Sequence, residues 1–82
     1  MREARVGQPI TIGEITVVPL ENVMVFKADN DSGHSLYFSL TPIGVALRTS
    51  QKRWAIDIDG NDVPLENYLQ EFDTLGQVLD SL

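Results

Sequence analysis

The side chains with obvious chemical potential are few and scattered. His34 is the single histidine, and with Asp29 and Asp31 it offers donors of the kind that hold a divalent cation. Zinc centres draw four ligands from Cys, His and carboxylates. This chain has no cysteine, and no further donor stands at ligand spacing from His34. The run Asp57-Ile-Asp-Gly-Asn-Asp62 has the acidity of a calcium loop but not its pattern: counted from Asp57, the loop needs Gly where Asp62 stands and Glu where Tyr68 stands. There is no Gly-rich phosphate loop, nucleophile elbow or Ser/His/Asp set. The reading is a non-enzyme with no catalytic residues, no metal and no cofactor.

What remains is recognition chemistry. Arg48, Lys52, Arg53 and Trp54 form the densest basic and aromatic cluster, and Arg and Trp are favoured at binding hot spots. Opposite charge lies in the tail, where Glu66, Glu71, Asp73 and Asp80 follow with no base after Arg53. The net charge is −6, divided into about +1 over residues 1–56 and −7 over residues 57–82. A globally acidic chain is repelled by phosphate backbones, but its basic charge is concentrated enough to leave a local patch. Partner-binding residues are therefore expected at Arg48, Lys52, Arg53 and Trp54, with Glu66 and Glu71 as an acidic counterpart able to dock on the basic cluster of a neighbouring copy.

These residues are positioned by a chain of 82 residues, the length of one small domain. A core of this size is modest, and there is no disulfide to reinforce it, which makes self-association an expectation. The absence of cysteine fits a reducing compartment. No apolar run approaches the ~20 residues of a membrane span, and no signal-like segment opens the chain. The expected location is the cytoplasm, with no membrane partner.

Alternation identifies the strands. Leu36, Phe38 and Leu40 alternate with polar neighbours, as do Ile43, Val45 and Leu47 with small ones, and then Trp54, Ile56 and Ile58. Pro42 predicts a bend or bulge, and Ser50 to Lys52 a turn. Upstream, residues 1–8 read as a frayed or edge lead-in, Ile10 to Ile12 as a short strand and Gly13-Glu14 as a tight turn. Ile15 to Leu20 reads as a strand interrupted at Pro19 and resumed by Val23 to Phe26, and Asp29 to His34 as a loop. From Val63 the period changes: Leu65, Tyr68, Leu69, Phe72, Leu75 and Leu79 recur every three or four residues. That predicts an amphipathic helix capped by Asp62 with Pro64 in its first turn, a break near Asp73, and a second helix capped by Asp73 or Thr74, with Gln77 three residues after Thr74 completing a capping box.

The predicted fold is mainly β with a C-terminal helical part, in the α+β class. It is a small bent antiparallel sheet or partial barrel of about six short strands, covered by one or two helices. Residues 1–82 form one domain, with a β meander over 1–58 and a helical tail over 62–82. Leu65, Leu69, Phe72 and Leu79 are expected to pack on the sheet face carrying Val45, Leu47, Trp54 or Ile56, and the tail to cover the apolar segment Val23 to Phe26.

Two blocks carry a resemblance. Val6-Gly-Gln-Pro-Ile-Thr-Ile-Gly-Glu-Ile-Thr-Val-Val-Pro-Leu-Glu-Asn-Val23 is similar to the opening of the GerW-like, or YtfJ-type, sporulation proteins. Leu40-Thr-Pro-Ile-Gly-Val-Ala-Leu-Arg-Thr-Ser-Gln51 resembles their later Thr-Pro-Ile strand, and where that family has a Gly-rich stretch this chain has Asp29 to His34. The resemblance implies a β-rich, non-enzymatic interaction or assembly module, and it supplies no catalytic residues. Val6 to Glu14 also resembles the opening of the carbon storage regulator CsrA family, RNA-binding β dimers. That implies, as the alternative, a small RNA binder using Arg5, Arg48, Lys52, Arg53 and Trp54.

Overall fold

A computed structural model describes residues 2–30 and 33–82. Its strands are β1 (Arg2–Val6), β2 (Ile10–Ile12), β3 (Ile15–Asn30), β4 (Gly33–Arg48), β5 (Arg53–Asp57) and β6 (Asp62–Val63). Two helices follow, α1 (Leu65–Glu71) and α2 (Leu75–Asp80). The strands form one curled antiparallel sheet in the order β1-β3-β4-β5-β6, with β2 also pairing with β3. This is the predicted partial barrel with a helical cover.

The strands are not uniformly short. β3 and β4 are 16 residues each and pair from Thr16–Arg48 to Asn30–Gly33. Pro19 does not interrupt β3. Its carbonyl accepts from the Gly7 N–H at 2.8 Å, so its nitrogen faces the same side, where β1 has ended at Val6 and β2 begins only at Ile10. No ladder bond is required of the missing donor there. The bulge expected at Pro42 is present: Leu20 pairs with Gly44 and Glu21 with Pro42, leaving Ile43 as the extra residue.

Residues 29–34 do not form a loop of that length, because Asp29 pairs with His34 and Asn30 with Gly33. Asp31, Ser32 and the side chain of His34 lie outside the described residues. The lead-in is an edge strand, β1, along Leu20 to Met24 of β3. Gly13 has φ 62°, and Glu14 does not share the positive φ, the pattern of a type II′ hairpin turn with Gly in first place.

The core lies at one end of the molecule. Val18 and Leu20 of β3, Ala46 of β4 and Ala55 of β5 meet Tyr68, Phe72, Leu75 and Leu79 of the helical tail. The tail therefore packs on the opposite sheet face from the expected one. The face of Val45, Leu47, Trp54 and Ile56 is richer in apolar surface, but that of Gly44, Ala46 and Ala55 is flat enough for helices to approach closely. Phe72 and Leu79 are buried as predicted, Leu65 is half-buried and Leu69 stays exposed. Tyr68 and Phe72 pack edge to face with centroids 6.0 Å apart.

The helix break falls at Phe72 to Thr74, next to the predicted Asp73, with Phe72 in an extended conformation. Asp62 is not the N-cap: it pairs with Ile56 in β6, and Pro64 occupies the cap position with no side-chain bond. Thr74 stands at the start of α2, also without a side-chain cap bond.

Candidate interaction surface

The basic cluster sits at the β4–β5 hairpin, closed by the Thr49 N–H donating to the Lys52 carbonyl at 2.8 Å. Pairing of Arg48 with Arg53 and of Leu47 with Trp54 sends these residues to two sides of the sheet. Arg48 and Arg53 share the helix-covered side with Ala46 and Ala55. There Arg53 Nη2 lies 2.9 Å from Asp80 Oδ1 and 3.4 Å from the Leu79 carbonyl oxygen, and Arg48 donates to the carbonyl of Leu82. These are carbonyls at and beyond the end of α2, which have no partners within the helix and which cations suit. Both arginines thus fasten the tail of their own chain.

Trp54 lies on the other side, where Lys52 Nζ stands 4.9 Å from the centre of its ring. Glu66 and Glu71 are exposed on α1, but five residues of helix turn them about 140° apart, so they do not form one acidic face. The sequence-predicted set of six is therefore divided: two arginines in an internal clamp, Lys52 with Trp54 on the far side, and two separate glutamates. Arg5, named for the RNA alternative, lies on β1 with Nε 3.9 Å from Glu21 Oε1.

The far side is the surface that sequence reasoning did not assign. Register places Ile10, Ile12, Ile15, Val17, Leu47 and Trp54 on it, with Val45 and Ile56 alongside. Beyond the bulge and the Arg5–Glu21 pair, Val23 with Leu40 and Val25 with Phe38 continue it along the two-stranded end of β3 and β4. Ile12 is 67% exposed and Phe38 74%, and on the reverse of this ribbon Phe26 and Tyr37 are also exposed. The tail does not cover the Val23 to Phe26 segment. The signal was in the alternation itself: a sheet with two apolar faces and one pair of short helices leaves one face bare.

The acidic turn after β5 is structural. Asp57 Oδ1 accepts from the amides of Asp59 and Asn61, both at 2.9 Å, and Gly60 takes φ 85°. Tyr68 Oη lies 3.4 Å from the Ile56 carbonyl oxygen and 3.5 Å from that of Ile43, bridging α1 to two strands. Burial raises its phenol pKa above the ordinary 10.0, and the charges of Asp57 and Glu71 add to the rise. Among the described residues no group of three or more His, Cys, Asp and Glu is disposed to hold a metal, and no helix is long and apolar enough to cross a membrane. The chain matches no family model, no curated protein and no solved structure.

Proposed function

We propose that this chain is a cytoplasmic, non-enzymatic β-rich interaction and assembly module that self-associates, the role its GerW-like resemblance implies. One observation carries the reading: an apolar sheet face, from Ile10 and Ile12 to Leu40 and Phe38, that its own helices do not cover. Exposed apolar surface on this scale marks association sites. Light scattering on a size-exclusion column over a dilution series tests it. An oligomer that dissociates on dilution is expected, and a monomer at every concentration overturns the reading.

The alternative, an RNA binder of the CsrA type at the hairpin tip, has Lys52 stacked on Trp54 in its favour. Arg48 and Arg53 would have to leave the tail to reach a phosphate. Binding to a random RNA pool at low salt, falling steeply as salt rises, would establish that alternative.

A further inference from the structure

We propose that two copies join by antiparallel pairing of the free edge of β4, with Phe38 of one protomer opposite Phe38 of its partner across a two-fold axis. This rests on the self-association reading and names the surface and register that deliver it. β5 pairs only with Gly44 to Arg48, so on that side of β4 the segment Gly33 to Ile43 meets no strand among the described residues. Unpaired edges are templates for another strand, and proteins ordinarily blunt them with charges. From Gly33 to Leu47 there is no Asp, Glu, Lys or Arg. The other edges differ: β1 carries Arg2, Glu3 and Arg5, the end of β3 carries Lys27 and Asp29, and β2 and β6 are three and two residues long.

The β4 edge is also complementary to itself. A two-fold axis perpendicular to the sheet sets residues of the same face opposite one another, as antiparallel pairing requires. With Phe38 on the axis, Tyr37 meets Ser39 of the partner subunit, and Val25 and Leu40 extend an apolar band on both sides of the Phe38 pair. A lone two-stranded ribbon is marginal in water, whereas this pairing makes four strands across which the Val23, Val25, Phe38 and Leu40 face is continuous. Aromatic side chains bury ~150–250 Å² each when fully covered, and lateral pairing covers only part of the exposed Phe38, Tyr37 and Leu40, so the contact is small beside the ~800 Å² per partner of a stable complex and the dimer should dissociate on dilution. Because each copy uses the same edge, the contact closes as a dimer and does not propagate. Pro42, with no N–H to donate, ends it near the body.

The cysteine-free chain makes the test direct. Phe38→Cys should form a covalent dimer under mild oxidation, since opposed residues stand about 4.5–5.5 Å apart at Cα, within disulfide range. Thr11→Cys on the exposed β2 strand should not. By light scattering the wild type and Phe38→Leu should dimerise, while Phe38→Lys sets two cations face to face and should weaken the dimer about tenfold or more. Phe38 is mostly exposed, so circular dichroism should show Phe38→Lys still folded. An oligomer that forms no Phe38→Cys disulfide and ignores Phe38→Lys overturns the β4 pairing while leaving self-association through the Ile10 to Trp54 patch. A chain that stays monomeric overturns both, and one that also floats with phosphatidylcholine vesicles assigns the ribbon to a lipid surface instead.

Discussion

At the scale of single residues, Gly44 sits where neither the sheet nor the tail leaves room for a side chain. A Cβ there would clash with the Ile56 carbonyl oxygen, stand 2.5 Å from Tyr68 Oη and 3.1 Å from the Cα of Asp57. Two of these neighbours are backbone and the third is wedged in the core, so none can yield cheaply. Gly44→Ala should cost about 1–3 kcal/mol by overpacking. At roughly 4–8 °C of melting temperature per kcal/mol for a domain of this size, a thermal melt will show it. Gly76→Ala is the opposite case. Its nearest neighbour is Leu69 Cδ2 at 3.9 Å and it lies in α2, so relief of helix entropy should stabilise the protein by up to about 1 kcal/mol.

Tyr68 gives a second prediction at this scale. The fold holds its phenol proton more tightly than the unfolded chain does, so the neutral phenol's contribution to stability is complete below the ordinary value of 10.0. It drains away as pH rises through the higher folded value. Tyr68→Phe should cost about 0.5–1.5 kcal/mol at neutral pH through the lost hydrogen bond, and should flatten the alkaline loss of stability. Urea melts of both proteins at neutral pH and above pH ~10 read both effects.

Among the elements, the helical tail supplies half of the core. Tyr68, Phe72, Leu75 and Leu79 are all buried, and each is worth roughly 1.5–3 kcal/mol against a total stability of about 5–15 kcal/mol. Removing residues 62–82 should therefore leave an unfolded or insoluble chain, and near-native circular dichroism in the truncated protein would make the tail an appendage. The tail was legible from the recurrence of Tyr68, Phe72, Leu75 and Leu79 at three- or four-residue spacing. The face it covers was not. Hydrophobicity pointed to Val45, Leu47, Trp54 and Ile56, whereas helices seat where Gly44, Ala46 and Ala55 leave room for Tyr68 and Phe72. Shape decided between two apolar faces, and shape is invisible until register is known. Pro19 was opaque for a similar reason, since its missing donor matters only if a neighbour needs it, and the gap between β1 and β2 removes the need.

The candidate site was legible in its residues and not in its arrangement. Arg48, Lys52, Arg53 and Trp54 share a hairpin as expected, but alternation along β4 and β5 divides them between faces. The acidic tail does dock on a basic tip, and it is the tip of its own chain. An ionic contact between copies has thereby lost Arg53 and Asp80 as free partners. Glu66→Lys combined with Glu71→Lys should accordingly leave the proposed dimer intact, and the dissociation constant of that dimer should change little between low and high salt, because apolar and main-chain contacts are not screened. Dissociation by either treatment, followed by light scattering, would restore the charge-driven contact.

Over the whole molecule, 57 Å long and 21 by 20 Å across, stability is concentrated at one end. Among the described residues, every fully buried side chain belongs to the body around Val18, Leu20 and the helices, and neither a third strand nor a helix lies against the ribbon beyond Met24 and Ser39. Local opening follows such differences in contact, so in a dilute monomer the amides of Lys27 to Asn30 and Gly33 to Phe38 should exchange with solvent far faster than those of Val17, Val18, Ala46 and Ala55. If the ribbon is the assembly element, raising the protein concentration supplies its missing strand. Protection should then rise along β4 from Gly33 to Thr41, and more weakly along the paired part of β3, with the body unchanged because its opening was already limited by its own core. Hydrogen exchange read by mass spectrometry at two concentrations separates this from assembly through the body, which would instead add protection at Ile10 to Ile12 and leave the ribbon as fast at high concentration as at low.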